Sequence, residues 1–71
     1  MIPRSEHVQW SKRRALQYLD AGDLVQALAS FASDMSKRTD TKLDPRIAAL
    51  GLHHGRNGDA DGLRRWIEGF Q

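Results

Sequence analysis

Ala15-Leu16-Gln17-Tyr18-Leu19-Asp20-Ala21-Gly22-Asp23-Leu24-Val25-Gln26-Ala27-Leu28-Ala29-Ser30-Phe31 decides the fold. Downstream of Gly22-Asp23, Leu24, Ala27, Leu28, Phe31 and Met35 recur at i, i+3, i+4, i+7 and i+11, the period of a helix with one buried face. Upstream, Val8, Ala15, Leu16 and Leu19 form a second stripe at helical spacing, and Trp10 lies off it. Between the two stripes, Gly22 supplies a residue tolerant of positive φ. Asp23, with Gln26 three positions on, reads as the acidic cap and capping-box partner of the next helix. The stretch predicts two antiparallel helices joined by a very short turn, the first capped at Ser5 and running to about Ala21.

Working outward, 38–44 reads as a polar linker, with Lys37 and Arg38 suited to the negative end of the second helix. Asp44-Pro45 restarts helix, because Asp caps and Pro at the first helical position loses only a donor that had no partner. Ile47, Leu50, Gly51 and His54 are the expected inner face of this third helix, with Gly51 allowing close backbone approach. Asn57-Gly58 ends it. Asp59 or Asp61 then opens a fourth helix on which Leu63, Trp66, Ile67 and Phe70 step i, i+3, i+4, i+7. Laying Gly58-Asp59 over Gly22-Asp23, an offset of 36 residues, aligns Leu52 with Leu16, Leu63 with Ala27 and Ile67 with Phe31, while Arg64 opposite Leu28 breaks the match. The expected fold is therefore all-α: one domain, 1–71, built as a small bundle of about four helices in two antiparallel αα-hairpins, 5–37 and 45–71. Its expected core is Val8, Leu16, Leu19, Leu24, Leu28 and Phe31 from the first hairpin and Ile47, Leu50, Leu63, Ile67 and Phe70 from the second.

Composition bounds what such a domain does. Seventy-one residues with 39% hydrophobic content supply a single small core, so a homodimer is one expected route to added stability. No cysteine is present, which excludes disulfides, thiolate zinc sites and cysteine nucleophiles. The longest apolar or glycine run is Ala48 to Leu52, too short to cross a membrane, and the start lacks a signal-peptide apolar segment; cytoplasm is the expected location and no membrane partner is expected. Net charge is only +2, yet eight arginines against three lysines and a pI near 9.5 lean toward anionic partners.

The first hairpin resembles a tetratricopeptide unit in its small residue Ala15, the aromatic Tyr18 three positions on, Gly22-Asp23, Ala27 and Phe31. That likeness covers about a quarter of the chain. It departs at Asp34, where the family usually has a small residue, and in having no proline before Pro45. It implies a helical protein-interaction fold. A second likeness spans the chain: His7-Val8-Gln9-Trp10, Lys12, Arg14-Ala15-Leu16, Tyr18, Gly22-Asp23, Ala27, Asp34, Lys37 and Ile67-Glu68-Gly69-Phe70 resemble small uncharacterised proteins encoded by bacteriophages of actinobacteria. The resemblance implies a phage accessory protein acting in the host cytoplasm and carries over no activity and no functional residues. Gly51 to Asp61 departs most from that pattern.

Three constellations bear on chemistry. Asn57-Gly58-Asp59-Ala60-Asp61-Gly62 followed by Glu68 fits the ligand spacing of an EF-hand calcium loop, with Asn57, Asp59, Asp61 and Glu68 as ligands. Asn at the first position, Arg64 where an apolar residue normally packs, and only three residues after Glu68 oppose it, and a glycine-bounded turn with a helix cap explains the same residues. His53-His54 is a poor metal pair because adjacent helical side chains point about 100° apart. No nucleophile elbow, carboxylate pair or phosphate loop is present, so neither enzymatic activity nor a cofactor is expected.

The third constellation is basic and aromatic: Trp10 with Lys12-Arg13-Arg14, and a second cluster of Arg64 and Arg65 beside Trp66. Trp10 and Arg14 stand one turn apart, so the guanidinium can lie over the indole. The pattern of Trp66 reads as core, whereas Trp10, off its stripe, reads as a contact residue. The leading expectation is a non-enzymatic interaction module using Trp10, Arg13, Arg14 and Tyr18 to engage a bacterial host or phage protein. The alternative is a small basic helical nucleic-acid binder using the same arginines together with Arg64 and Arg65, and calcium binding through 57–68 ranks below both.

Overall fold

The computed structural model describes residues 3–71. Helix α1 spans Arg4–Asp20, α2 Leu24–Met35, α3 Pro45–Arg56 and α4 Ala60–Glu68, with a single 3-10 turn at Thr39–Thr41 in the linker. Among the described residues there is no strand. Each hairpin packs internally, α1 on α2 and α3 on α4; the bundle then closes because α4 lies against α1 and α3 against α2. A radius of gyration of 11.2 Å equals the roughly 11 Å expected of a well-packed chain of this length.

The two interhelical turns are the same device used twice. At the first, Gly22 adopts φ +82° and its amide donates to the Leu19 carbonyl, while the Asp23 amide donates to Tyr18. At the second, Gly58 adopts φ +65°, its amide donates to Gly55, and the Asp59 amide donates to His54. Both are Schellman terminations, in which a left-handed glycine lets the last carbonyls of a helix be satisfied. Each Asp then starts the next helix: Asp23 accepts from the Gln26 amide at 3.1 Å and Asp59 from the Gly62 amide at 2.9 Å. The 36-residue repeat is thus real at the turns. It extends to the second helix of each hairpin, where Ala27 and Leu63, and Phe31 and Ile67, are fully buried pairs. It fails on the first helices, because Leu16 is partly buried and Leu52 is exposed.

Phe31 is the centre of the core. The ring of Phe70 meets it edge-on at 4.9 Å and that of Trp66 at 5.4 Å, and Trp66 and Phe70 meet each other at 5.0 Å. Such edge-to-face pairs add about 0.5–1.5 kcal/mol each beyond burial. Val8, Ala15, Leu19, Ala27, Met35, Leu63 and Ile67 complete the buried set, with Leu16, Leu24, Leu28, Leu43 and Phe70 partly buried around it.

Two expectations are corrected. Ile47 and Leu50 are 42% and 56% exposed, not core. The inner face of α3 is made of small residues instead, with Gly51 buried and Ala48 and Gly55 half-buried, because the indole of Trp66 occupies the space a large α3 side chain would need. A Cβ on Gly51 would stand 2.7 Å from that ring, and the indole nitrogen donates to the Ile47 carbonyl at 3.1 Å. Nor does Ser5 cap α1. The helix begins two residues earlier than that cap implies, at Arg4, behind Pro3, whose carbonyl accepts from the His7 amide. Proline's fixed φ already suits helix entry. The linker, read as merely polar, is tied down: Thr41 is buried and its hydroxyl donates to the Met35 carbonyl at 2.5 Å, closing the end of α2.

Candidate interaction surface

The candidate surface is built where α1 crosses the end of α2. Trp10 projects from α1 and is 37% exposed. One turn along, the guanidinium of Arg14 lies 4.8 Å from the indole centroid, as the spacing predicts, and the ammonium of Lys37, from the end of α2, lies 5.2 Å from it. The His7 ring packs at 5.7 Å.

What holds this arrangement is Asp34, which is 2% exposed. Arg14 Nε stands 2.8 Å from one of its carboxylate oxygens and Lys37 Nζ 3.0 Å from the other. His7 Nε2 donates to the Asp34 carbonyl at 2.7 Å; since a carbonyl only accepts, the imidazole carries its proton on Nε2. A buried carboxylate is costly unless paired. The two cations supply that pairing and, because their other faces meet Trp10, fix the indole in place. His7, Trp10, Arg14, Asp34 and Lys37 therefore meet in one cluster. Beside it, Glu6, His7, Trp10, Arg13 and Lys37 line a hollow of about 730 Å³.

Of the predicted contact residues, Trp10, Arg13 and Arg14 share this face. Tyr18, 40% exposed, sits one turn beyond Arg14 and lines a separate depression with Arg14 and Gln17. The second basic cluster stands apart. Arg64 reaches back to Asp20 at 2.5 Å, a pairing that raises its pKa, and Arg65 lines a groove on the α3–α4 side. Lys12, from the same run as Arg13, is buried, and its ammonium donates to the Glu68 carbonyl at 2.9 Å, capping α4 from α1.

Sequence reasoning missed Asp34, His7 and Lys37 as parts of the site. Asp34 carried a signal: it continues the stripe of Ala27 and Phe31 and has Lys37 one turn on. That Arg14 is its second partner depends on the register of α1 against α2, which no local pattern encodes.

The calcium geometry is not formed. Residues 60–68 are helical, so Glu68 lies about 12 Å along the axis from Ala60. Asp59 spends one oxygen on the Gly62 amide and accepts from His54 Nδ1 at 3.2 Å with the other. The Gly62 amide chiefly, then His54, hold its carboxyl below the ordinary range. Asn57 turns to His53 instead. Among the described residues no group of three or more His, Asp or Glu side chains is placed to hold a metal, and no helix of the structure is long and apolar enough to cross a membrane.

No protein-family model, no curated protein and no solved structure significantly matches this chain.

Proposed function

We propose that this chain is a non-enzymatic protein-interaction module that engages a bacterial host or phage protein through the face of Trp10, Arg13 and Arg14, with Tyr18 at its margin. The setting is the one the phage-protein resemblance implies, the cytoplasm of an infected bacterium. One observation carries the reading: a half-exposed tryptophan is held between two cations that a single buried carboxylate immobilises. A rigid aromatic with its neighbours already ordered binds with little further loss of side-chain entropy, and Trp and Arg are the residues most enriched where contacts carry the affinity.

The nucleic-acid alternative draws less support, because Arg64 is paired with Asp20 and Arg65 lines a different groove from Arg13, so the two basic clusters do not form one surface. Capture of tagged chain from nuclease-treated bacterial lysate tests the proposal. A discrete protein should co-elute with the wild type and be lost with Trp10→Ala plus Arg14→Ala, whose helical circular dichroism stays intact. Recovery that vanishes with nuclease, or is retained by the double variant, contradicts it. Nucleic-acid binding would also weaken by orders of magnitude between about 50 and 200 mM salt.

A further inference from the structure

A second surface lies on the α3–α4 side and shares no lining residue with the Trp10 hollow. Leu43, Ile47, Leu50, Trp66 and Phe70 line a groove of about 590 Å³, and Ile47 and Leu50, which the core leaves out, form its exposed wall. Three cations, Arg4, Lys42 and Arg65, stand around it with two carboxylates, Asp40 and Asp44. Both carboxylates are engaged: Asp40 pairs with Arg38 at 2.8 Å, and Asp44 accepts from the Arg46 amide at 2.8 Å as the cap of α3. Arg4 donates to the backbone oxygens of Asp40 and Gln71. The groove therefore offers apolar walls inside a rim of net positive charge.

We infer that this groove is a second contact face, and that its occupant is an apolar helical segment of a partner protein flanked by Asp or Glu. Two large side chains spaced i, i+4 on such a segment match a hollow of this size, with acidic neighbours reaching Lys42 and Arg65. A second copy of this chain fits worse, because a two-fold contact places the same patch on both sides and would set the positive rim against itself. The inference does not rest on the Trp10 reading.

Selection of a displayed library of random dodecapeptides on the full chain tests it. The enriched peptides should carry paired large apolar residues with acidic flanks and bind Leu50→Asp about tenfold or more weakly, while Trp10→Ala binds them unchanged. Leu50 is exposed, so its variant keeps the fold, which circular dichroism verifies. Lys42→Glu with Arg65→Glu should turn the selected flanks from acidic to basic. Absence of enrichment, neutral or basic flanks on the wild type, equal binding by Leu50→Asp, or loss of binding with Trp10→Ala would each overturn the inference. So would a dimer in sedimentation that Leu50→Asp dissolves, since the groove would then belong to a second copy.

Discussion

Gly51 shows how a single missing side chain sets the packing of a helix. Elsewhere in an exposed helix, replacing Gly by Ala stabilises by about 1 kcal/mol. At Gly51 the new methyl would meet the Trp66 ring at 2.7 Å, well inside contact distance, and overpacking of this kind costs about 1–3 kcal/mol. Gly51→Ala is therefore expected to lower the urea midpoint despite its better helix propensity; a raised midpoint would mean that Trp66 moves aside freely. Asp59 makes a prediction in pH. Its carboxyl is held below the ordinary value of 3.8, first by the Gly62 amide and then by His54. Its stabilisation is thus fully present above pH 3.8 and is lost as pH falls through the lower folded value. Asp59→Asn, which can still accept from the amide, should leave a shallower loss of melting temperature in acid than the wild type shows.

At the scale of elements, Asp34 of α2 pairs with Arg14 on α1 and with Lys37 in the turn that follows α2. Removing either cation leaves the other as partner, whereas removing both strands a buried carboxylate. Arg14→Ala and Lys37→Ala should each be mild, and together they should cost about 3 kcal/mol or more, beyond the sum of the single effects. A double-mutant cycle in urea measures this; strict additivity would mean that Asp34 does not rely on them. The element scale also explains what could be read from sequence. Gly-Asp at 22–23 and 58–59 specifies its turns locally, because glycine reaches positive φ and Asp caps from within the same few residues. All four helices follow from those signals and from Asp44-Pro45. The face of α3 was not legible, since a stripe through Ile47 and Leu50 competes with a stripe of small residues through Ala48, Gly51 and Gly55. Only the bulk of Trp66, fifteen positions after Gly51, selects the small one. The site was half legible for the same reason: Trp10 and Arg14 share one helix, while Asp34 comes from α2 and Lys37 from the turn after it.

Taken whole, the bundle divides its large apolar residues between a core around Phe31 and an outer set that the core does not use. Phe31→Ala is expected to cost about 3–5 kcal/mol, enough to unfold a domain of this size, since small domains have little stability to spare. Leu50→Asp, on the exposed wall of the α3–α4 groove, should shift stability by no more than about 0.5 kcal/mol. Thermal melts of the two variants separate the core from the surface, and a severe loss in Leu50→Asp would place that residue in the core after all. The outer set and the Trp10 cluster give the molecule two separated faces, one aromatic and cation-fixed, the other apolar with a positive rim. The central claim is that the first of these is a protein contact. Its most direct test is a photo-crosslinking amino acid placed at Gln9, exposed beside Trp10 in the same hollow, and, as a control, at Val25, which is 72% exposed on α2. Irradiation in nuclease-treated lysate should give a discrete protein adduct from position 9 that excess wild-type chain competes away, and none from position 25. No adduct at position 9, or the same adducts from both positions, would contradict the account.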